Sequence, residues 1–334
     1  MTGIRSGNCT VFAAAIAAVV TLSMPTPVSA TTVGGVDLGG LTNNLFVFTN
    51  GSTDANWQSS SKGYVGDVAV SGTADFRTSG TVPYSGTIST DGASIGAWQD
   101  IVDDNAGAPN NASANLNDAA LLNGLTNDFN NALVQIGNLT ATSGFESRAS
   151  SSLNGLNTQN GAAETFVINV TSGFSVNSAI DITGDADDAF ILRWDSSEQV
   201  KFQSGGGINP LGGLTASNFV HTAGDINASG GGSNLSGLAD ELALTLTLNG
   251  GAEIDGGGFF TGYWLTTGDT NGETSSLSNA IFVGGWYTNT TKFSMTSGTS
   301  GVHVALSPIP LPAGLPLLAA ALCSFGFLRW RTRR

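Results

Sequence analysis

Short alternations of apolar and polar residues recur along most of the chain, between clusters of Gly, Asn and Ser. Examples are 45–48 (LFVF), 65–70 (VGDVAV) and 165–170 (TFVINV). A period of two is typical of strands with one buried side, and turn residues separate such strands. The pattern therefore predicts a mainly β domain, and further candidate strands lie at 179–182, 189–194, 199–202, 242–248, 259–265, 280–286, 292–295 and 302–306.

One segment follows a different period. Between Asn117 and Gly137 the apolar residues recur every three to four positions, at Leu121, Leu122, Leu125, Phe129, Ala132, Leu133 and Ile136. This spacing predicts an amphipathic helix over 117–137, which Asn117 caps and Gly137 ends. A second, short helix is predicted near 98–102. Because the helix and the strands of one domain bury their apolar sides in a common core, we expect the long helix to pack alongside the strands.

The second half of the chain has a rhythm of apolar pairs followed by Gly, as in 259–262 (FFTG) and 281–284 (IFVG), although no strict repeat of fixed period is visible. Coils that stack strand on strand and turn on small residues favour a right-handed β-solenoid-like domain. A jelly roll is the alternative fold.

The N-terminal 30 residues differ from the middle of the chain. Arg5 precedes an apolar run over 11–22, and Val28-Ser29-Ala30 supplies small residues at the −3 and −1 positions. This order is typical of a secretory signal peptide. The apolar run is shorter than the roughly 20 residues that a membrane-spanning helix needs.

The C-terminus has three parts: a Pro-rich segment over 308–314, an apolar stretch over 315–328, and four arginines within 329–334. A short apolar helix with a terminal Arg cluster predicts a transmembrane helix whose Arg tail stays cytoplasmic, so the domain before it is exported. A permanent tail anchor is the alternative.

This tail resembles the bacterial PEP-CTERM class of sorting signals, in its variant with a Val-Pro-Leu-Pro-Ala core (VPLPA-CTERM). Here the core is Ile309 followed by Pro310, Leu311, Pro312 and Ala313. The resemblance implies recognition by an exosortase-type membrane enzyme, removal of the helix, and delivery to the cell surface or exopolysaccharide matrix of a Gram-negative bacterium. The expected domains are a signal peptide (1–30), an extracellular β-rich domain (31–307) and a sorting signal (308–334).

The segment between the two ends is strongly acidic. The chain has 11 Lys and Arg against 25 Asp and Glu, and segment 31–307 keeps only six of the cations but all of the acids, a net charge of −19. Such an excess repels phosphate backbones, so we expect no nucleic-acid partner. Cys9 and Cys323 both lie in the end segments, and the middle must therefore fold without a disulfide.

The body of the chain also resembles known families. Phe46-Val47-Phe48, then 63–70 (GYVGDVAV), the helix, 165–170, 189–192 (AFIL), Asn218-Phe219 and 262–285 follow an order that resembles choice-of-anchor surface modules and the ice-binding β-solenoid family. In the ice-binding family a helix packs beside a discontinuous solenoid. The resemblance implies adhesion, matrix or ice contact and supplies no catalytic residues. Regular Thr-x-Thr rows are absent, since Thr245-Leu246-Thr247 is isolated.

One sequence motif is compatible with a catalytic serine. The segment 92–96 (GASIG) fits the G-x-S-x-G nucleophile motif around Ser94, and His221 and His303 are the only histidines. A nucleophile elbow also needs a strand–turn–helix context within a parallel α/β pattern. A pentapeptide of this kind arises readily in a chain rich in Gly and Ser, so we assign no catalytic residue.

Two other groups carry candidate chemistry. The segment 181–188 (DITGDADD) offers Asp185, Asp187 and Asp188 as calcium ligands, since calcium prefers several hard oxygen atoms; a solvated acidic turn is the alternative. Tyr263, Trp264, Trp286 and Tyr287 could form a platform for sugar stacking, although alternation along a strand more often buries half of such residues.

The sequence thus predicts a non-enzymatic, exported cell-surface or exopolysaccharide-matrix protein with an adhesive or structural role. Its expected partners are the sorting enzyme, exopolysaccharide or surface glycans, and the membrane until the C-terminal helix is removed; calcium is the one candidate cofactor. The alternatives are an ice- or surface-binding protein and an extracellular carbohydrate-active enzyme. A flat Thr-rich face would favour ice, and a cleft lined by convergent carboxylates would favour an enzyme.

Overall fold

The protein is described by a computed structural model that covers residues 32–49, 54–58, 63–71, 76–79, 82–92, 98–107, 110–229, 258–268, 275–289, 292–295 and 298–306. Residues 31–306 form one compact unit. The expected signal peptide and sorting signal, together with the candidate strand at 242–248, lie outside the described residues.

Most of the described secondary structure is β. The strands before the long helix are β1 (Thr32–Val33), β2 (Val36–Asp37), β3 (Asn44–Phe48), β4 (Asp54–Gln58), β5 (Gly63–Val65), β6 (Asp67–Val70), β7 (Phe76–Ser79), β8 (Tyr84–Ser85), β9 (Thr87–Thr90) and β10 (Ser113–Asn115). The helices are α1 (Trp98–Asp104) and α2 (Ala119–Asn138), and short 3-10 turns span Gly39–Asn43, Ser150–Leu153 and Ala216–Asn218.

The strands after the long helix complete the β structure. They are β11 (Arg148–Ala149), β12 (Leu156–Asn157), β13 (Thr165–Ser172), β14 (Ser175–Val176), β15 (Ala179–Gly184), β16 (Ala189–Trp194), β17 (Gln199–Gln203), β18 (Gly207–Gly212), β19 (Phe219–Ala223), β20 (Asp225–Ser229), β21 (Gly258–Thr266), β22 (Ser275–Leu277), β23 (Ala280–Thr288), β24 (Lys292–Met295) and β25 (Ser300–His303).

These strands wind into a three-sided β-solenoid. One side, here the helix sheet, has the order β10-β9-β6-β3-β23-β21-β19-β16-β13-β11, and a second, here the polar sheet, has the order β14-β17-β20-β22-β24-β4-β7. The third side contains β12, β15 and β18, the first halves of β21 and β23, and β25, β5 and β8. A typical coil, such as β13, β14 and β15, visits the three sides in that sequence and then returns to the helix sheet as β16.

The pairing confirms the solenoid and excludes the jelly roll. Apart from β1 with β2, the strand pairs among the described residues are parallel, and their register continues from coil to coil except for single shifts in the β11–β13 and β3–β6 pairs. A jelly roll is built from antiparallel strands. The difference is physical: a coil brings each strand back to the same side in the same direction, whereas a hairpin reverses it.

The coils are not stacked in chain order. The first coils, containing β3, β6 and β9, sit beyond β23 at one end, while the coils that follow α2 begin at the other end with β11 and β13. The junction is the pairing of Trp286, Tyr287 and Thr288 in β23 with Phe46, Val47 and Phe48 in β3. The last coils therefore close onto the first, and α2 carries the chain from one end toward the other.

Helix α2 lies on the outer surface of the helix sheet, as the apolar spacing predicts. Its buried residues Leu122, Leu125, Phe129, Ala132 and Ile136 pack in one cluster with outward residues of the sheet. Those sheet residues are Val47, Ala69, Val167, Ile191, Val220, Tyr263, Leu265 and Tyr287. The sequence placed the helix within two residues.

Both ends of α2 are held by charged side chains. The carboxylate of Asp118, not Asn117, accepts a hydrogen bond from the Leu121 amide (3.0 Å), and the helix passes through Gly137 to end at Asn138. At the C-terminus, Arg193 of β16 donates to the carbonyls of Ile136 (3.3 Å) and Leu139 (2.9 Å). A cation there complements the negative end of the helix dipole.

The interior is filled by side-chain ladders that run along the solenoid axis. Phe166, Phe190 and Phe219 stack in successive coils with ring centroids 5.1 Å apart at each step. A second ladder joins Leu192, His221, Trp264, Trp286 and Phe46 through consecutive register pairs. Identical positions in neighbouring coils thus hold similar rings, which accounts for much of the aromatic content.

Glycines form the corner between the third side and the helix sheet. Gly262 and Gly284 have φ of +88° and +130°, and a Cβ on Gly284 would collide with the Gly262 carbonyl oxygen. Gly66 and Gly86 form the same kind of corner in the first coils. The segments 64–68 (YVGDV), 84–88 (YSGTI), 260–264 (FTGYW) and 282–286 (FVGGW) therefore share an aromatic-x-Gly repeat. Sequence inspection found the two later copies but missed the two earlier ones, because coil length varies.

Candidate binding surface

The polar sheet is the side of the solenoid where apolar and polar positions alternate most regularly. In β17, Val200 and Phe202 point into the core, and in β20 Ile226 and Ala228 do the same. The intervening residues lie on the outer surface. This follows from the two-residue period of a strand, which sends successive side chains to opposite sides.

The outward residues form a row that crosses the sheet in register. The row comprises Ser175, Lys201, Asn227, Ser276 and Ser294. Each of these side chains is half-buried or exposed. Neighbouring parallel strands are about 4.8 Å apart, so the row presents hydroxyl, amide and ammonium groups at that repeat along the solenoid axis.

Further polar side chains flank this row. Gln199, Gln203 and Ser229 are half-buried on the same side, and the Asn227 amide nitrogen lies 3.4 Å from the Gln199 amide oxygen. Asp225 is only 2% exposed and accepts a hydrogen bond from the Ser275 hydroxyl (3.1 Å). The accessible outward groups of β14, β17, β20 and β22 are therefore neutral or positive.

Strands β4 and β7 extend the sheet. The backbone register aligns Asn56 with Ser294 and Arg77 with Asn56. The row thus continues over two more strands. Such a surface, with repeated hydrogen-bonding groups at fixed spacing, suits contact with an extended partner along many strands.

The predicted acidic site lies elsewhere, where β15 ends. Asp187 is exposed, whereas Asp188 is 1% exposed. The Asp188 carboxylate accepts hydrogen bonds from the Glu164 amide (3.0 Å), the Asp185 amide (3.0 Å) and the Thr158 hydroxyl (2.7 Å). Its oxygens connect neighbouring coils.

Asp185 is used in a similar way. One of its oxygens accepts hydrogen bonds from the Asn160 amide (2.9 Å) and the Gly161 amide (2.7 Å). Among the described residues, no three His, Cys, Asp or Glu side chains are grouped closely enough to hold a metal ion. Calcium binding at Asp185, Asp187 and Asp188 stays a prediction, tested below.

The aromatic platform for sugar stacking is wrong. Tyr263, Trp264, Trp286 and Tyr287 are all fully buried. Trp264 stacks on His221 and Trp286 on Phe282 inside the solenoid. The two tyrosines lie under α2, where their hydroxyls donate to the carbonyls of Val304 (2.6 Å) and Asn44 (3.2 Å). Burial raises the pKa of both tyrosines above the ordinary value. The two-residue period correctly puts the tryptophans and the tyrosines on opposite sides of the sheet, but the solenoid interior encloses one side and α2 covers the other.

Neither histidine lies at an open site. His221 is fully buried in the core ladder, and burial lowers its pKa to about 3. The His303 ring nitrogen Nε2 lies 2.7 Å from the Thr42 carbonyl oxygen, and burial lowers the pKa of this histidine as well. Ser94 lies outside the described residues.

The sorting motif at Pro310, Leu311, Pro312 and Ala313 also lies outside the described residues. In the part of the chain that is described, no helix is long and apolar enough to cross a membrane.

The polar row was within reach of the sequence but was not identified. The segments 199–203 (QVKFQ) and 225–229 (DINAS) alternate polar with apolar residues, which signals two solenoid strands with exposed outer groups. Their alignment into one row depends on the coil lengths between them, which the period alone does not give.

No protein-family model matches the chain, and no curated protein matches it. Solved structures of ice-binding proteins do align with it. One from the Antarctic ascomycete Antarctomyces psychrotrophicus has 14% identity and a TM-score of 0.42, over 81% of this chain and 99% of that one. A glycosylated ice-binding protein from an Arctic yeast has 14% identity and a TM-score of 0.45, over 83% and 97%. A Shewanella frigidimarina ice-binding domain has 15% identity and a TM-score of 0.41, over 80% and 96%.

Proposed function

We propose that this chain is an exported, non-enzymatic binding protein that attaches to a surface or to the exopolysaccharide matrix through its polar sheet. The observation that carries the proposal is the in-register row Ser175, Lys201, Asn227, Ser276 and Ser294. Repeated donors and acceptors on a rigid scaffold bind an extended partner at many weak contacts, which add through their number.

The use of the titratable side chains supports a non-enzymatic role. A hydrolase needs an acid or base that reaches its substrate. Here Asp188 is buried and bound to backbone amides of its own chain. His221 is enclosed by the aromatic ladder.

Export and sorting rest on the two ends of the sequence. The signal peptide at 1–30 and the sorting signal at 308–334 support processing by signal peptidase and by an exosortase-type enzyme at the outer surface of a Gram-negative bacterium. Intact mass spectrometry of surface material checks this. We expect a chain lacking both segments, and a mature chain that still ends at Arg334 would leave a retained membrane anchor instead.

An ice surface is the second candidate partner. A flat parallel sheet with polar groups repeating every ~4.8 Å is suited to an ordered lattice. The described outward residues of the row are Ser, Lys and Asn, and none of them is Thr. The row is therefore not the Thr-rich face that would favour ice binding. A glycan matrix is therefore the first choice.

The test is to block the row. We expect Asn227→Tyr with Ser276→Tyr to release the protein from the matrix into the supernatant when producing cells are fractionated. Val134→Tyr is the matched control, because Val134 is 63% exposed on α2, away from the polar sheet. Retention of the double variant at the wild-type level would overturn the proposal. Freezing-point hysteresis that the double variant loses would assign the row to ice.

A further inference from the structure

The few cations of the 31–307 segment are concentrated on the polar sheet. Lys201, Lys292 and Arg77, three of the six, belong to β17, β24 and β7. The described strands of the same sheet contain two of the 25 acidic residues, Asp54 and Asp225. In a domain of net charge −19 this distribution separates one positive strip from an acidic remainder.

The two acids offset the strip only in part. Asp225 is 2% exposed and hydrogen-bonded to Ser275, and Asp54 is the register partner of Lys292. The exposed acids nearest to Lys201 in sequence are Asp195 and Glu198, in the turn before β17. Asp195 accepts hydrogen bonds from the Ser197 amide and hydroxyl, which lower its pKa.

The register spaces the cations along the sheet. Lys201 and Arg77 stand in the same row, separated by β20, β22, β24 and β4. Five steps of about 4.8 Å give ~24 Å between these positions, well beyond the screening length of roughly 8 Å at physiological ionic strength. Charges at these two backbone positions therefore act independently, and a ligand that spans both must be long.

The remaining described cations are occupied by structural roles. Arg193 binds the C-terminus of α2. Arg148, on the helix sheet, donates to the Gly144 carbonyl and lies over the Phe145 ring at 4.8 Å. By contrast, the ammonium group of Lys201 has no such structural contact among the described residues. Lys201 is half-exposed among Gln199, Gln203 and Asn227.

We propose that the polar sheet recognises an acidic polysaccharide, a linear glycan carrying carboxylates, with Lys201 pairing with a carboxylate and the neighbouring Gln, Asn and Ser side chains of the row bonding the sugar hydroxyls. This rests on the proposed function and names its ligand class. Charge complementarity favours a polyanion at this strip, while the acidic remainder of the domain repels the same polymer and so orients it onto the sheet.

The experiment compares two polymers with one backbone. Binding of the processed chain to polygalacturonate and to its full methyl ester is measured in EDTA at low and at physiological salt. We expect tighter binding to the acid form, weakening as salt rises. Lys201→Gln should weaken acid-form binding about two- to fivefold, the usual range for one exposed ion pair, and Lys201→Arg should retain it.

The controls separate this inference from the function on which it rests. Arg148→Gln removes the same charge away from the sheet and should leave binding unchanged; an equal loss would show only a net-charge effect and overturn the inference. Equal binding of both polymers, binding that requires calcium, or tighter binding of single-stranded DNA would also overturn it. If Asn227→Tyr with Ser276→Tyr still abolishes matrix attachment in those cases, the proposed function stands without the acidic ligand.

Discussion

The rings of His221 and Trp264 lie parallel, with centroids 4.0 Å apart and an interplanar angle of 3°. His221 Nδ1 also accepts a hydrogen bond from the Trp194 indole (3.2 Å), so this nitrogen carries no proton. A neutral imidazole replaces a benzene ring in the aromatic ladder, which explains how a histidine can be fully buried there.

Acid should destabilise the domain through His221. Its pKa is about 3 in the folded chain and near 6.5 when unfolded. Between these values the unfolded chain binds a proton that the folded chain does not, so stability is intact above about pH 6.5 and falls as the pH decreases toward 3. We expect a loss of about 3 kcal/mol between pH 7 and pH 4.

The measurement is urea unfolding of the wild type and of His221→Phe across this range. The variant has no proton to bind at this position, so subtracting its profile removes the contributions of the carboxylates and His303. A pH-independent difference between the two proteins would mean that His221 is not buried as described.

Phe129 should be essential to the attachment of α2. It is 1% exposed, within the cluster between the helix and the helix sheet, and truncating a buried aromatic costs about 3–5 kcal/mol. Phe129→Ala should lower the melting temperature accordingly, while Val134→Ala, at an exposed helix position, should change stability by less than about 0.5 kcal/mol. An unchanged melting curve for Phe129→Ala would mean that α2 is a detached linker.

Gly284 should not tolerate a side chain. Its φ is +130°, and a Cβ would approach the Gly262 carbonyl, so Gly284→Ala should cost at least about 1–3 kcal/mol. Gly124 provides the contrast within the same chain, because nothing lies near its Cβ position on the exposed side of α2. Gly124→Ala should gain about 0.5–1 kcal/mol. Melting temperatures of the two variants moving in the same direction would contradict the corner geometry.

The short-range spacing of apolar residues predicts most of the strands and the long helix, but it does not predict the order in which the coils stack. The alternation in 165–170 and the helical spacing through Phe129 are properties of neighbouring residues, and both elements form where expected. The pairing of Phe46 with Trp286 is not local: it joins positions 240 residues apart. It depends on α2 carrying the chain along the solenoid, which no two-residue pattern encodes.

The surroundings of the candidate sites were out of reach of the sequence for a related reason. Sequence can identify Tyr263 and Tyr287 as outward residues of a strand, but not that a distant helix covers that side. It can count carboxylates in 181–188, but not that Asn160, Gly161 and Glu164 of the preceding coil donate amides to them. Both outcomes are set by which coil lies next to which.

Adding calcium tests whether the acidic turn at 181–188 binds a metal ion or serves only to accept hydrogen bonds from the neighbouring coil. If Asp185, Asp187 and Asp188 bind the ion, millimolar calcium should raise the melting temperature, since a ligand of the folded state stabilises it by mass action. Asp185→Asn with Asp187→Asn should then remove most of the rise. The same rise with sodium at matched ionic strength would reflect screening of the net −19 charge and would dismiss the site.

Asp188 tests the structural use at the same turn. Its carboxylate is buried and accepts two amides and a hydroxyl from three residues, and the Asn side chain keeps one acceptor oxygen while adding donors that face other donors. Asp188→Asn should therefore cost about 2–3 kcal/mol both with calcium and with EDTA, whereas Asp187→Asn, at an exposed position, should cost less than about 0.5 kcal/mol in EDTA. A cost for Asp188→Asn that vanishes in EDTA would reverse the assignment, because the carboxylate would then be holding an ion and not the neighbouring coil.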